Sequence, residues 1–141
     1  MIDRTPASLW LRLLAGLYDL LPLLGLWFFA GAIALGVAGG SLESHQDLRK
    51  VLTQILLLAF SAGYFVISWT RGGQTIGMRA WRLRVTRANG KRLDWPRALL
   101  RFGVAAISFG ALGLGLLWAL IDPQKRTWHD LAAGTTVTRN A

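Results

Sequence analysis

Three stretches without a single charged side chain dominate this 141-residue chain: Leu20 to Leu42, Val51 to Thr70 and Phe102 to Ile121. Each holds about twenty residues, the length an α-helix needs to cross a hydrocarbon core of about 30 Å. A soluble domain of this size has no core large enough to hide three such runs. The expected fold class is an all-α membrane protein: a small bundle of three hydrophobic helical elements, in one domain over residues 1–141. The first helix is expected from about Leu9 to about Val37, carrying Pro22, which frees a carbonyl and kinks the helix. The second is expected from about Leu48 to about Thr70, with Gln54, Ser61 and Ser68 sharing one face toward the first helix.

The charge is unevenly placed. Of a net +9, nine Lys/Arg and one acid, Asp94, fall between Arg71 and Arg101, so that segment holds +8 and the remainder of the chain +1. In a chain with several spans such a loop is a positive-inside signal, which places the loop and the N-terminus in the cytoplasm. It argues for anionic lipid headgroups as a partner, at about 1 kcal/mol per Lys/Arg near the surface, and against nucleic acid. Arg79, Arg82, Arg84 and Arg87 form the interfacial part of this loop. Arg82 to Arg87 alternates cation and apolar residue, Asn89-Gly90 is a hairpin turn signal, and Arg92 to Trp95 is the expected returning strand. Gln74 to Trp81 is expected as a short interfacial helix, and Thr135 to Arg139 as a strand added to the hairpin. The Gly72 to Gly77 spacing has the skeleton of a phosphate loop, but Met78-Arg79 follow it. Its glycines are expected to turn the backbone instead. The apolar stretch after Arg4 is too long for a signal-peptide core and contains Asp19, so no cleavage is expected.

Polar groups inside the apolar runs are the candidate site. A carboxylate in hydrocarbon costs roughly 2.5–3.5 kcal/mol on insertion scales, so Asp19 must face a partner, a cavity or a ligand. Arg12 lies on the same helical face, about 10.5 Å along the axis from Asp19, too far for direct contact. Arg12 is expected to snorkel to the interface. Asp19 is expected to pair with Arg101 or Arg97, or less directly with Gln54. Asp130 is expected to pair with a loop arginine or to cap a helix. His129-Asp130 lacks further ligands at metal spacing, and the chain has no cysteine, so neither metal site, cofactor nor catalytic dyad is expected. The third run contains Gly110, Gly113 and Gly115. It either crosses as one straight helix, leaving the tail outside, or bends back at the glycines, keeping both ends cytoplasmic; the basic residues Lys125 and Arg126 favour bending.

Several segments taken together resemble the RDD family. They are Arg12 with Asp19, Gly73-Gln74-Thr75-Ile76-Gly77-Met78-Arg79, Leu83-Arg84-Val85, Arg97-Ala98-Leu99-Leu100-Arg101, and Thr127-Trp128-His129-Asp130-Leu131-Ala132-Ala133-Gly134-Thr135. Met78 stands where such proteins often have lysine. The resemblance implies a mostly bacterial integral membrane module, hence the inner membrane, with Arg12, Asp19 and Asp130 as the arginine and two aspartates of its name. It also implies transport, with sodium/proton exchange attributed to some members. Two functions follow as expectations. One is a transporter or transport component using an Arg/Asp site, acting as an oligomer because three short elements cannot enclose a pathway. The other is a non-transporting accessory subunit that assembles with or stabilises a larger membrane complex. No paired carboxylates or nucleophile triad supports an enzyme.

Overall fold

A computed structural model describes residues 4–37 and 46–140. Two helices follow directly from the apolar runs: α1, Leu9–Val37, continuous through Pro22, and α2, Gln46–Arg71. Both are long and apolar enough to cross a membrane, and little of either is covered by the protein: 17% of the most apolar window in α1 and 6% in α2. Phe28, Leu21 and Val37 on α1 and Leu48 and Leu58 on α2 are exposed, as a lipid solvent requires and water does not.

The chain divides into two compact units. One, residues 20–64, holds most of both long helices. Within it the Trp27 indole N–H donates to Ser61 Oγ at 2.8 Å, Ser61 Oγ donates back to Leu57 O at 2.7 Å, and Phe29 meets Phe60 edge-on. The expected polar face of α2 thus serves helix–helix packing at Ser61, whereas Gln54 is exposed.

The other unit, residues 1–19 and 65–141, is built on a small sheet. Strand β1, Arg4–Pro6, precedes α1. After α2, Gly73 takes a left-handed φ of +67° and turns the chain into α3, Ile76–Ala80, capped by Thr75, whose Oγ accepts the Met78 N–H at 3.2 Å. Strand β2 is Leu83–Arg87. Helix α4, Trp95–Gly110, starts at Asp94, whose carboxylate caps the Arg97 N–H. Short α5, Leu114–Leu117, runs into a 3₁₀ turn over Trp118–Leu120; α6 is Trp128–Ala133 and β3 is Thr135–Asn140. The sheet order is β1-β3-β2, all antiparallel, with Val85 opposite Val137. Those two side chains and Leu83 are 3% exposed or less and join Ala15, Val66, Trp69, Leu93 and Ala98 in one core. Each buried aliphatic side chain of this size contributes about 1.5–3 kcal/mol.

One sequence expectation changes here. The Asn89-Gly90 turn exists, with Gly90 at φ +77°, but Arg92 to Trp95 makes no returning strand. Asp94 is committed to the α4 cap, and β3 supplies a five-residue register whose valine completes the core, so β2 pairs there instead. Ahead of Ser8, β1 pairs with β3. The third apolar run takes the bent of the two forms expected for it, turning at the glycines. Leu112 and Gly113, at φ +56° and +77°, break it, and the two arms bend by 107°. Because β3 lies between β1 and β2, the chain from α4 to α6 leaves the sheet and returns to it, which the bend makes possible.

Candidate functional site

Asp130 is the centre of the polar interior. It is the third residue of α6, and its Oδ2 accepts the Thr127 N–H at 3.0 Å, a bond that fixes the carboxylate at the helix start. From there Oδ2 reaches the Arg12 guanidinium, in the first turn of α1, and Oδ1 the Arg101 guanidinium of α4. Arg101 Nη1 also donates to Thr135 Oγ at 2.7 Å, at the root of β3, and its guanidinium lies 4.9 Å from the centre of the Trp69 ring of α2. Asp130 is fully buried, Arg101 is 3% exposed, and the Arg12 side chain is 9% exposed. One carboxylate therefore ties α1, α4 and α6 together, and Arg101 extends the tie to β3 and α2.

Burial alone would raise the Asp130 carboxyl out of the ordinary range; the guanidiniums of Arg101 and Arg12 outweigh it and hold the group ionised, well below normal. His129, beside it, is driven down to about 3, first by burial and then by the charge of Arg101, so its imidazole is neutral near pH 7. At the turn after the 3₁₀ segment, Asp122 is held at about 2 by its hydrogen bonds from Arg126.

Asp19 occupies a separate spot. Its side chain is 3% exposed; Oδ2 accepts the Thr75 hydroxyl at 2.6 Å and Oδ1 the Gly77 N–H at 2.8 Å. The carboxylate thus sits at the start of α3, where backbone N–H groups favour negative charge. The approach is close: a Cβ on Gly77 would lie 1.9 Å from Ala15 O, so only glycine lets α3 lie against α1. Beside it Tyr18 meets Trp81 edge-on.

Of the residues singled out from sequence, the fold brings Arg12, Arg101 and Asp130 together and places Asp19 elsewhere. Arg12 does not snorkel, because an acid from a residue 118 positions away meets it inside. The expected cation partners of Asp19 are committed to other groups. Arg101 takes Asp130, and Arg97 donates to Ala133 O at 3.1 Å and flanks Asp94. Arg79, Arg82 and Arg84 are exposed, whereas Arg87 is partly covered and paired with Asp94. Sequence reasoning missed Thr75, Gly77, Thr135 and Trp69 as site residues. Thr75, Gly77 and Thr135 lie in quoted motifs, but those glycines pointed to a backbone turn and Thr135 to a strand start; Trp69 carried no separate signal.

The fold and site together define a membrane-type module with two apolar helices, a bent apolar pair and a small basic head locked by buried Arg–Asp contacts. The RDD family model matches residues 6–134, and the chain belongs to that family. It is 33% identical to the uncharacterized protein YckC of Bacillus subtilis (strain 168), over 94% of this chain and 84% of that one. No solved structure matches it.

Proposed function

We propose that this chain is an accessory subunit of the bacterial inner membrane that assembles with a larger membrane protein or with copies of itself. Its N-terminus and basic head lie in the cytoplasm, against anionic lipid, without nucleic acid, cofactor or catalytic step. The observation that carries this reading is how the polar interior is spent. Arg12 and Arg101 both bind Asp130, and Asp19 accepts a hydroxyl and a backbone N–H. Donors of that kind complement an anion, whereas a sodium site needs several oxygens facing the ion. The charges lock the head, and the exposed apolar residues of α4 and of the turn after it (Ile107, Phe109, Leu112) are left for lipid or a partner.

The bent apolar pair favours a second reading, a transport component exchanging cation for proton as an oligomer. Non-helical backbone at membrane depth is tolerated where it is buried in protein or lines a water-filled cavity. Gentle-detergent purification from native membranes, with the native mass and co-eluting chains identified, separates the two. A stoichiometric larger partner is the expected result. Recovery of a homo-oligomer that catalyses proton-coupled sodium flux in proteoliposomes, abolished by Asp19→Asn, supports transport and overturns the accessory reading.

A further inference from the structure

The lock at Asp130 is electrically unbalanced: two guanidiniums face one carboxylate, leaving one net positive charge in the interior. The surplus coincides with unused donors. Among the described residues, no protein acceptor lies within hydrogen-bond reach of Arg12 Nε, Arg12 Nη2, Arg101 Nε or Trp69 Nε1, and all four atoms are buried. Arg12, Arg101 and Trp69 are each at least nine-tenths buried. Each of these atoms can only donate; none offers a lone pair to a cation. Unmet donors of this kind are costly, and charged ones more so. Asp19, the nearest acid along α1, is engaged at the start of α3.

We propose that the corner formed by Arg12, Arg101 and Trp69 binds a small monovalent anion of about chloride size. The anion would balance the surplus guanidinium charge and accept the indole and guanidinium N–H groups. Size is part of the proposal: with Asp130 on both guanidiniums and the centre of the Trp69 ring 4.9 Å from that of Arg101, a small ion is the class these buried donors would take. The inference does not depend on whether the chain transports or only assembles.

The test is thermal unfolding of the detergent-purified full chain in sodium chloride, bromide or gluconate at equal ionic strength. Chloride and bromide are expected to raise the midpoint saturably, by roughly 5 °C, because a ligand that binds only the folded state stabilises it by mass action. Trp69→Phe keeps a ring beneath Arg101 and removes one donor; it is expected to raise the half-saturating halide concentration about tenfold. Equal midpoints in chloride and gluconate would overturn the proposal, as would a halide response unchanged in both Trp69→Phe and Arg12→Lys. If neither variant folds, bromide-soaked crystals of the unaltered chain decide. Anomalous density at Arg12 and Arg101 supports the site, and density confined to the surface, an adventitious ion only, rejects it.

Discussion

Asp19 and Asp130 are two buried carboxyl groups in one small unit, met by different kinds of partner. Asp130 is surrounded by charge: two guanidiniums and a single backbone N–H. Asp19 is met by oriented dipoles, the Thr75 hydroxyl and the Gly77 N–H. The difference lies in what each arrangement leaves behind when it is disturbed. Charge compensation joins distant parts of the chain strongly but strands like charges when the centre is lost. Dipolar compensation demands close backbone approach and fails by degrees.

The largest effect is expected at the charged centre. Asp130→Asn leaves Arg12 and Arg101 facing each other without a carboxylate, and breaking a buried pair from one side costs about 3–5 kcal/mol. Chemical or thermal unfolding in detergent should show most of the stability of the head gone. Adding Arg12→Gln to Asp130→Asn should recover part of that loss, because the stranded charge is removed. Strict additivity of the two substitutions would argue that the cluster is not coupled.

At the dipolar site the backbone, not the charge, is the sensitive part. Gly77→Ala places a methyl group 1.9 Å from Ala15 O, and backbone cannot yield as a flexible side chain does. About 3 kcal/mol is expected, at the upper end for overpacking. Release of α3 should make the Arg79 region more readily cleaved by protease. A wild-type protease pattern would show that α3 does not depend on this approach.

Acid should act through the charged region first. The folded pKa of His129 lies at about 3, below its ordinary 6.5, so between those values the unfolded chain takes up a proton that the folded chain refuses. Stability is therefore fully present above about pH 6.5 and falls as pH drops toward 3, by on the order of 2 kcal/mol after allowance for relaxation. The depressed carboxyl of Asp130 acts in the same direction below its ordinary 3.8. His129→Gln should flatten the upper part of this profile. An unchanged slope between pH 6.5 and 4.5 would exclude His129 as its source.

The contrast between the two sites also explains what the sequence made legible. The long helices were readable because crossing hydrocarbon imposes length and composition locally: Leu9–Val37 matches the expected first helix, and Gln46–Arg71 is within two residues of the second. Residues Ile76–Ala80 and Thr135–Asn140 were readable from glycine placement and strand period. That a strand from Thr135 onward joins β2 was readable too; that it takes the place of the hairpin return was not, because a core valine from distant sequence outweighs a local turn signal. The same non-locality hid the site. Helical spacing shows that Arg12 and Asp19 share a face, but nothing in their spacing shows that Asp130 will claim Arg12. Asp19 looked as if it needed a cation because hydroxyl and backbone donors leave so faint a mark on composition.

The smallest effect, and the sharpest test of the comparison, is Asp19→Asn. The amide can turn its carbonyl to the Gly77 N–H and present its NH₂ to Thr75. Thr75 Oγ, which now donates to Asp19 while accepting the Met78 N–H at 3.2 Å, can rotate its proton away and accept a second bond. The cost should therefore be about 1–1.5 kcal/mol, the exchange of a charged hydrogen-bond acceptor for a neutral one. The chemically identical change at Asp130 has no such escape, because a guanidinium offers no lone pair to an incoming NH₂. Thermal unfolding of the two variants side by side should separate them by about 1.5–4 kcal/mol. Equal losses would mean that Asp19 too depends on a cation, and that the two carboxylates are held by one mechanism rather than two.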